Sequence, residues 1–291
     1  MDAARPLARS TQTDRRLSAV GPAASPALPG PHAGPLTTAL GLAPGEYGYD
    51  RLGCHPETLE VALPALRFLH ERWFRTTWEQ AEPLPEGRVI VVANRAGCDP
   101  WDALVLIAGA LADPNRPRLL RAPTAAWWLR LPWLGDLTLR LGAYPAHPAT
   151  ALDLLRDGQA LLALPENRTG LDAGRRGRVA RLTTSFVRLA VASRAPIVPV
   201  AIAGGDERAP SLFDLDSLGR RLGLNDLALT PLCPWRGPRG LLPVPVRHHV
   251  IVGQPIRFDG AANDDETTLG AQADAVRRAL QSLLERALAR R

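Results

Sequence analysis

The sequence predicts an α/β fold, with a central sheet, largely parallel or mixed, flanked by helices. Three observations predict it. Short apolar runs of strand composition recur at residues 89–92, 160–164 and 196–203, and each ends in a polar or glycine-containing turn. Stretches of helical periodicity alternate with them, the pattern of β-α-β units rather than of an all-β or all-α domain. A chain of 291 residues can bury one large core and carry a tail besides.

Residues 1–53 are rich in Pro, Ala and Gly and show no apolar period, so a disordered tail is expected there, followed by one folded domain over 54–291. Pro22, Pro26 and Pro29 interrupt what would otherwise be a signal-peptide apolar segment, so a leader is not expected. Within 54–82, Leu59, Leu63, Leu66, Leu69 and Trp73 recur at helical spacing and predict an N-terminal amphipathic helix that either packs on the domain or lies on a membrane. Trp78 falls off that stripe, and Pro64 either kinks the helix or marks its start. The run at 89–92 is a buried strand, broken by Asn94, Gly97 and Pro100. Asp102 then stands as an N-cap for an apolar helix over 103–112, and 117–121 suggests a second short strand.

Residues 124–141 carry Trp127, Trp128, Leu131, Trp133, Leu134, Leu137 and Leu139 with Arg130 and Arg140. Such a mixture suits an interfacial segment, with indoles at headgroup depth and arginines on lipid phosphates, and equally suits packing between two helices. Pro148 opens a helix that Gly158 ends. The third strand, 160–164, runs into Pro165-Glu166-Asn167-Arg168 and an Arg/Gly-rich loop reaching Arg178. A helix over 182–193, a strand over 196–203 stopped by Gly204-Gly205, a short helix over 211–223 and strand composition at 244–252 follow. A C-terminal helix over 265–291 places Val276, Leu280, Leu283, Leu284 and Leu288 on one face.

The formal charge is +6, the sequence pI about 10.1, and every basic residue is arginine. That balance favours anionic partners: nucleic acid, an anionic membrane surface or phosphorylated substrates. No helix-turn-helix, zinc or RNA-recognition signature accompanies it, so nucleic acid is not expected. The G-x-x-x-x-G-K-[ST], G-x-S-x-G and H-E-x-x-H patterns are lacking, so no bound nucleotide or metal is implied. Cys54, Cys98 and Cys233 are odd in number and far apart, which fits neither a disulfide framework nor a metal knuckle and suits a reducing compartment. No run approaches the roughly 18 uncharged apolar residues of a spanning helix.

Four segments stand in order: ANRAGCDPWDA after the first buried strand, LGAYPAHP before a helix, LPENRTG after the third strand, and APIVPVAIAG as the fourth. Their order and local sequence resemble the glycerolipid acyltransferase family, the glycerol-3-phosphate and lysophosphatidate acyltransferases, over about residues 66–256. The resemblance implies a glycerolipid-acyltransferase-like fold and transfer of a fatty acyl group to the hydroxyl of a lysophospholipid-type acceptor, in phospholipid biosynthesis or remodelling. The donor would be acyl-CoA or acyl-carrier protein, a co-substrate, with no resident cofactor. It implies a cytoplasmic protein, peripheral on the inner face of the cell membrane.

The family's first motif is Asn-His, four residues, then Asp; its histidine is the general base, held by the aspartate in the accepting tautomer. Carried over by position, Asn94 matches, Arg95 occupies the histidine seat, and Asp102 stands for the aspartate two residues beyond the usual spacing, Asp99 being one too close. Pro165 and Glu166 match the third motif, which helps bind the acceptor phosphate, and Asn167 and Arg168 extend it. The second motif's arginine has no counterpart, and His147 stands nearby as a substrate-binding candidate. A guanidinium offers no acceptor for a proton near neutral pH. Arg95 could instead pair with Asp102, hold an acceptor phosphate in a bidentate fork, or stabilise an oxyanion. His147, His248 and His249 are the candidate replacement bases, and Cys98 reads as a neutral loop thiol rather than a nucleophile. The alternative is a non-catalytic lipid- or acyl-thioester-binding relative.

Overall fold

The structure, a computed structural model, describes residues 40, 42, 48–96, 101–113, 116–166, 177–204, 245–261 and 264–290. The helix at 211–223, Cys98, Cys233, Asp99, Asn167, Arg168, Arg175 and Arg176 lie outside the described residues, as does nearly all of the expected tail. The strands are β1 (Thr77–Gln80), β2 (Val89–Ala93), β3 (Leu120–Arg121), β4 (Pro123–Thr124), β5 (Tyr144–Pro145), β6 (Ala160–Ala163), β7 (Ile197–Ala203) and β8 (His249–Val252). The helices are α1 (Pro56–Arg67), α2 (Trp101–Leu111), α3 (Ala126–Leu129), α4 (Leu134–Arg140), α5 (Pro148–Arg156), α6 (Ser185–Ser193) and α7 (Glu266–Ala289).

Six strands make a mixed sheet in the order β1-β8-β7-β2-β6-β3, and β4 pairs with β5 in a separate ribbon. β7, β2, β6 and β3 run parallel, with Val91 opposite Val198 on one side and Leu162 on the other. β8 is antiparallel to β7, and β1 runs parallel to β8. The expected α/β architecture is therefore present. β2 and β7 are buried along their whole length, which is why they read as unbroken apolar runs.

Each face of the sheet has its own helical layer, because successive side chains alternate. Ile90, Val92, Leu161, Ile197, Ala201 and Ile251 pack under α5, α6 and α7. Val89, Val91, Ala93, Leu162, Val200 and Ile202 pack under α2, with Phe74 and Trp78. Trp78 lies on Gly109 of α2 so closely that a Cβ there would stand 2.1 Å from the ring. α7 buries Val276, Leu280, Leu283, Leu284 and Ala287, whereas Leu288, in the final turn, is exposed.

The N-terminal helix is shorter than expected. α1 ends at Arg67, a π-helical turn over Phe68–Trp73 follows, and Thr77–Gln80 is the edge strand β1. Trp78 falls off the helical stripe because it belongs to that strand, and Arg75, with φ of 43°, makes the break. Pro56 supplies the helix start, leaving Pro64 inside α1. α6 likewise begins at Ser185 rather than at Leu182, which instead forms an antiparallel bridge with Glu166. Residues 124–141 form two short helices split at Pro132-Trp133.

Within the expected tail, residues 48–53 are tied to the domain. The Asp50 carboxylate accepts from the Leu52 and Cys54 N–H groups at 2.9 and 2.8 Å and pairs with Arg121 on β3. Tyr49 stacks on His55 at 4.5 Å and lies under the Arg140 guanidinium. Burial pushes the Cys54 thiol up to about 11, with Arg121 pulling the other way, so it is an unreactive neutral thiol.

The π-helical turn buries His70 completely, and among the described residues neither ring nitrogen has a hydrogen-bond partner. Desolvation pushes this imidazole down to about 4 from an ordinary 6.5, against a weak upward pull from Glu71. The unfolded chain therefore takes up this proton at higher pH than the folded one. The stability from keeping His70 neutral is full above pH 6.5 and falls away as pH drops from 6.5 towards 4, by about 3 kcal/mol in all. In urea unfolding across that range, a His70→Leu variant is expected to lose most of the slope that the natural protein shows.

Candidate active site at the carboxyl edge of the sheet

Because β2, β6 and β7 are parallel and adjacent, the loops that leave them emerge side by side at one edge, where α/β folds place ligands. Asn94 and Arg95 leave β2, Leu164 to Glu166 leave β6, and Gly204 ends β7 with φ of +123°. A Cβ at Gly204 would meet the Arg247 carbonyl oxygen at 2.1 Å, so only glycine fits this turn.

The half-buried Arg95 donates from Nε to the Leu164 carbonyl oxygen at 3.4 Å. This contact sets the first-motif loop against the third-motif loop. Pro165 is fixed in turn, its carbonyl accepting from Thr183 N–H at 3.0 Å, and Glu166 is buried beside it. Asp102, expected as an N-cap, sits instead inside α2, fully buried, and its carboxylate accepts from Ala96 N–H at 2.9 Å. That bond ties Ala96, next to Arg95, to the first turn of α2.

Asn94 spends its amide on the sheet. Its Nδ2 donates to the Ile202 carbonyl at 2.9 Å, and its Oδ1 accepts from the Ile202 N–H at 2.8 Å. Where the β2 main chain turns away after Ala93, this side chain continues the ladder to β7, since a carboxamide presents the same donor–acceptor pair as a peptide group. The geometry thus makes Asn94 a clamp beneath the site.

His147 is exposed and N-caps α5, its Nδ1 accepting from Ala149 N–H at 3.2 Å. A helix starting with Pro148 at its first position accounts for a capping residue there. His249 faces the α7 side and pairs with Glu79 at 2.7 Å, and Glu79 also meets Arg290. His248 is buried on the α2 face at the same edge as Arg95. Phe74 packs edge-on against both neighbours, 4.9 Å from His248 and 6.3 Å from Trp101. Among the described residues no group of three or more His, Cys, Asp or Glu could hold a metal ion. No helix among them is long and apolar enough to cross a membrane.

Sequence reasoning missed the buried Arg121 and Glu79 and the half-buried Asp50, which are charges paired across distant segments. Nothing in local spacing signals them. At the edge, Arg95 stands on a stretch braced by Asp102 from one side and Leu164 from the other. It can bind an anion; its guanidinium cannot take a proton.

Comparison with known proteins gives the family of the chain. The Acyltransferase family profile matches residues 75–203, from just before β1 to the end of β7. Uncharacterized proteins of Mycobacterium tuberculosis and Mycobacterium bovis are each 35% identical over 257 residues, 85% of this chain and 71% of theirs. One from Mycobacterium leprae is 35% identical, with 85% and 70% covered. The crystal structure of the 1-acyl-sn-glycerophosphate (LPA) acyltransferase PlsC from Thermotoga maritima aligns at 17% identity with a TM-score of 0.49, covering 77% of this chain and 81% of that one. With the profile lying on the strands that build the edge, and identity to the mycobacterial proteins sustained over most of their length, the chain belongs to the acyltransferase family.

Proposed function

We propose that this protein transfers a fatty acyl group from an acyl thioester, acyl-CoA or acyl-carrier protein, to the hydroxyl of a lysophospholipid-type acceptor in phospholipid biosynthesis or remodelling, with Arg95 as the anchor for the acceptor phosphate. The observation that carries this reading is the Arg95–Leu164 contact, which sets a guanidinium between the first- and third-motif loops. There its planar fork can bind a phosphate in a bidentate manner, whereas proton removal falls to another group or to water.

The test is thiol release by the purified chain with acyl-CoA and lysophosphatidate. Release above a no-enzyme control is expected, with Arg95→Ala raising the KM for the acceptor about tenfold. Failure to release thiol with any of several lysophospholipid acceptors overturns the reading. A second reading is favoured by one specific feature, a guanidinium in the seat of the family's proton acceptor: a non-catalytic protein that binds lipid or acyl thioester. Under it, Arg95→His would transfer acyl groups while the natural protein would not.

A further inference from the structure

The split between α3 and α4 leaves five consecutive exposed residues, Arg130, Leu131, Pro132, Trp133 and Leu134, and Leu137 is exposed one turn further on. Trp133 is 88% exposed, so the fold draws almost nothing from burying its indole. Its backbone is also left-handed, with φ of 58°, a conformation that an L side chain of this size disfavours. A bulky apolar side chain held outward on an unfavourable backbone contributes to something outside the chain.

Charge selects the partner. Asp136 is neutralised by Arg140 at 2.8 Å, which leaves Arg130 as the charge that the tip presents. The whole chain is at +6. An indole flanked by leucines and an arginine matches the boundary of an anionic bilayer, where the ring sits at headgroup depth and the guanidinium meets phosphate. Val61 on α1, which touches α4, and Phe68 in the π-helical turn that follows α1 are exposed apolar side chains as well. A projecting tip of four residues suits insertion between lipids, whereas a protein partner would need a broad, complementary face.

We infer that the Leu131–Leu134 tip, with Leu137 and Arg130, is a wedge that docks this protein on an anionic phospholipid bilayer. The inference stands on exposure, backbone and charge, and is independent of the chemistry at Arg95.

Flotation of the full chain with vesicles tests it. The natural protein is expected to float with phosphatidylglycerol-containing vesicles and to prefer them to pure phosphatidylcholine. Trp133→Gly suits the left-handed backbone, so it keeps or raises the melting temperature while cutting the bound fraction about tenfold. Leu137→Gln, on the neighbouring turn, lowers binding through a separate residue. Arg130→Gln removes most of the phosphatidylglycerol preference, a loss of about fivefold. Failure of the natural protein to float, or a Trp133→Gly protein that floats as well as the natural one, overturns the wedge. So does a dimer in sedimentation that Trp133→Gly dissolves without any lipid binding, which would assign the tip to a second copy. Binding is read without turnover, so its failure leaves acyl transfer standing, and an inert protein that still floats leaves the wedge standing.

Discussion

Asp50→Ala is expected to destabilise the protein by about 3–5 kcal/mol, the cost of leaving a buried guanidinium without its counter-charge. The Arg121 side chain is only 2% exposed, and its partner lies in a segment whose composition reads as tail. Arg121 also donates from Nε to Gln159 Oε1 at 3.3 Å, and its Nη1 has no partner among the described residues, so little else can absorb the charge. The Asp50 carboxylate additionally holds the Leu52 and Cys54 N–H groups, so the same substitution frees the turn that lays residues 48–54 against the edge strand β3. Guanidinium unfolding measures the effect as a lower midpoint at constant slope. The double variant Asp50→Ala, Arg121→Met is expected to recover most of the loss, since an apolar side chain of similar volume asks for no counter-charge. A loss below about 1 kcal/mol would mean that the Asp50–Arg121 pair contributes little to the fold.

Asn94→Ala is expected to cost about 2–4 kcal/mol and to reduce any activity of the site with it. The substitution orphans both the N–H and the carbonyl of Ile202, which is wholly buried in the strand next to β2. Asn94→Asp separates the two bonds. It keeps an acceptor for the Ile202 N–H but sets a carboxylate oxygen against the Ile202 carbonyl, so it should be no better tolerated than alanine despite its matching shape. Thermal unfolding gives the stability, and the KM for the acceptor reports whether Arg95 has shifted with the loosened edge. If Asn94→Ala keeps full stability but loses turnover, Asn94 acts in the chemistry rather than as a clamp.

These two residues mark what local sequence can carry. Asn94 is visible as the end of a buried run, and its place after VIVVA already marks it as special. Its partner, Ile202, lies 108 residues away, and no periodicity connects them. Asp102 was legible as a helix-opening carboxylate, yet its acceptor role points back to Ala96 across the loop rather than to its own helix. The histidines show the same division. His147, His248 and His249 look alike in sequence, but the fold makes the first a helix cap, buries the second against Phe74 and pairs the third with Glu79.

By itself the sequence determined the alternation of buried strands and helices, the loops that leave β2 and β6, and a cation at residue 95. These follow from side-chain periodicity and from glycine and proline, which act over a few residues. Only the tertiary structure decided that β1 exists, that β8 runs against β7, that Asp50 meets Arg121, and that Trp133 stands in the open. Each of these depends on which distant segment supplies the other half of a hydrogen bond, a charge pair or an apolar contact. Such pairing is set by the packing of the whole core, which local spacing does not encode.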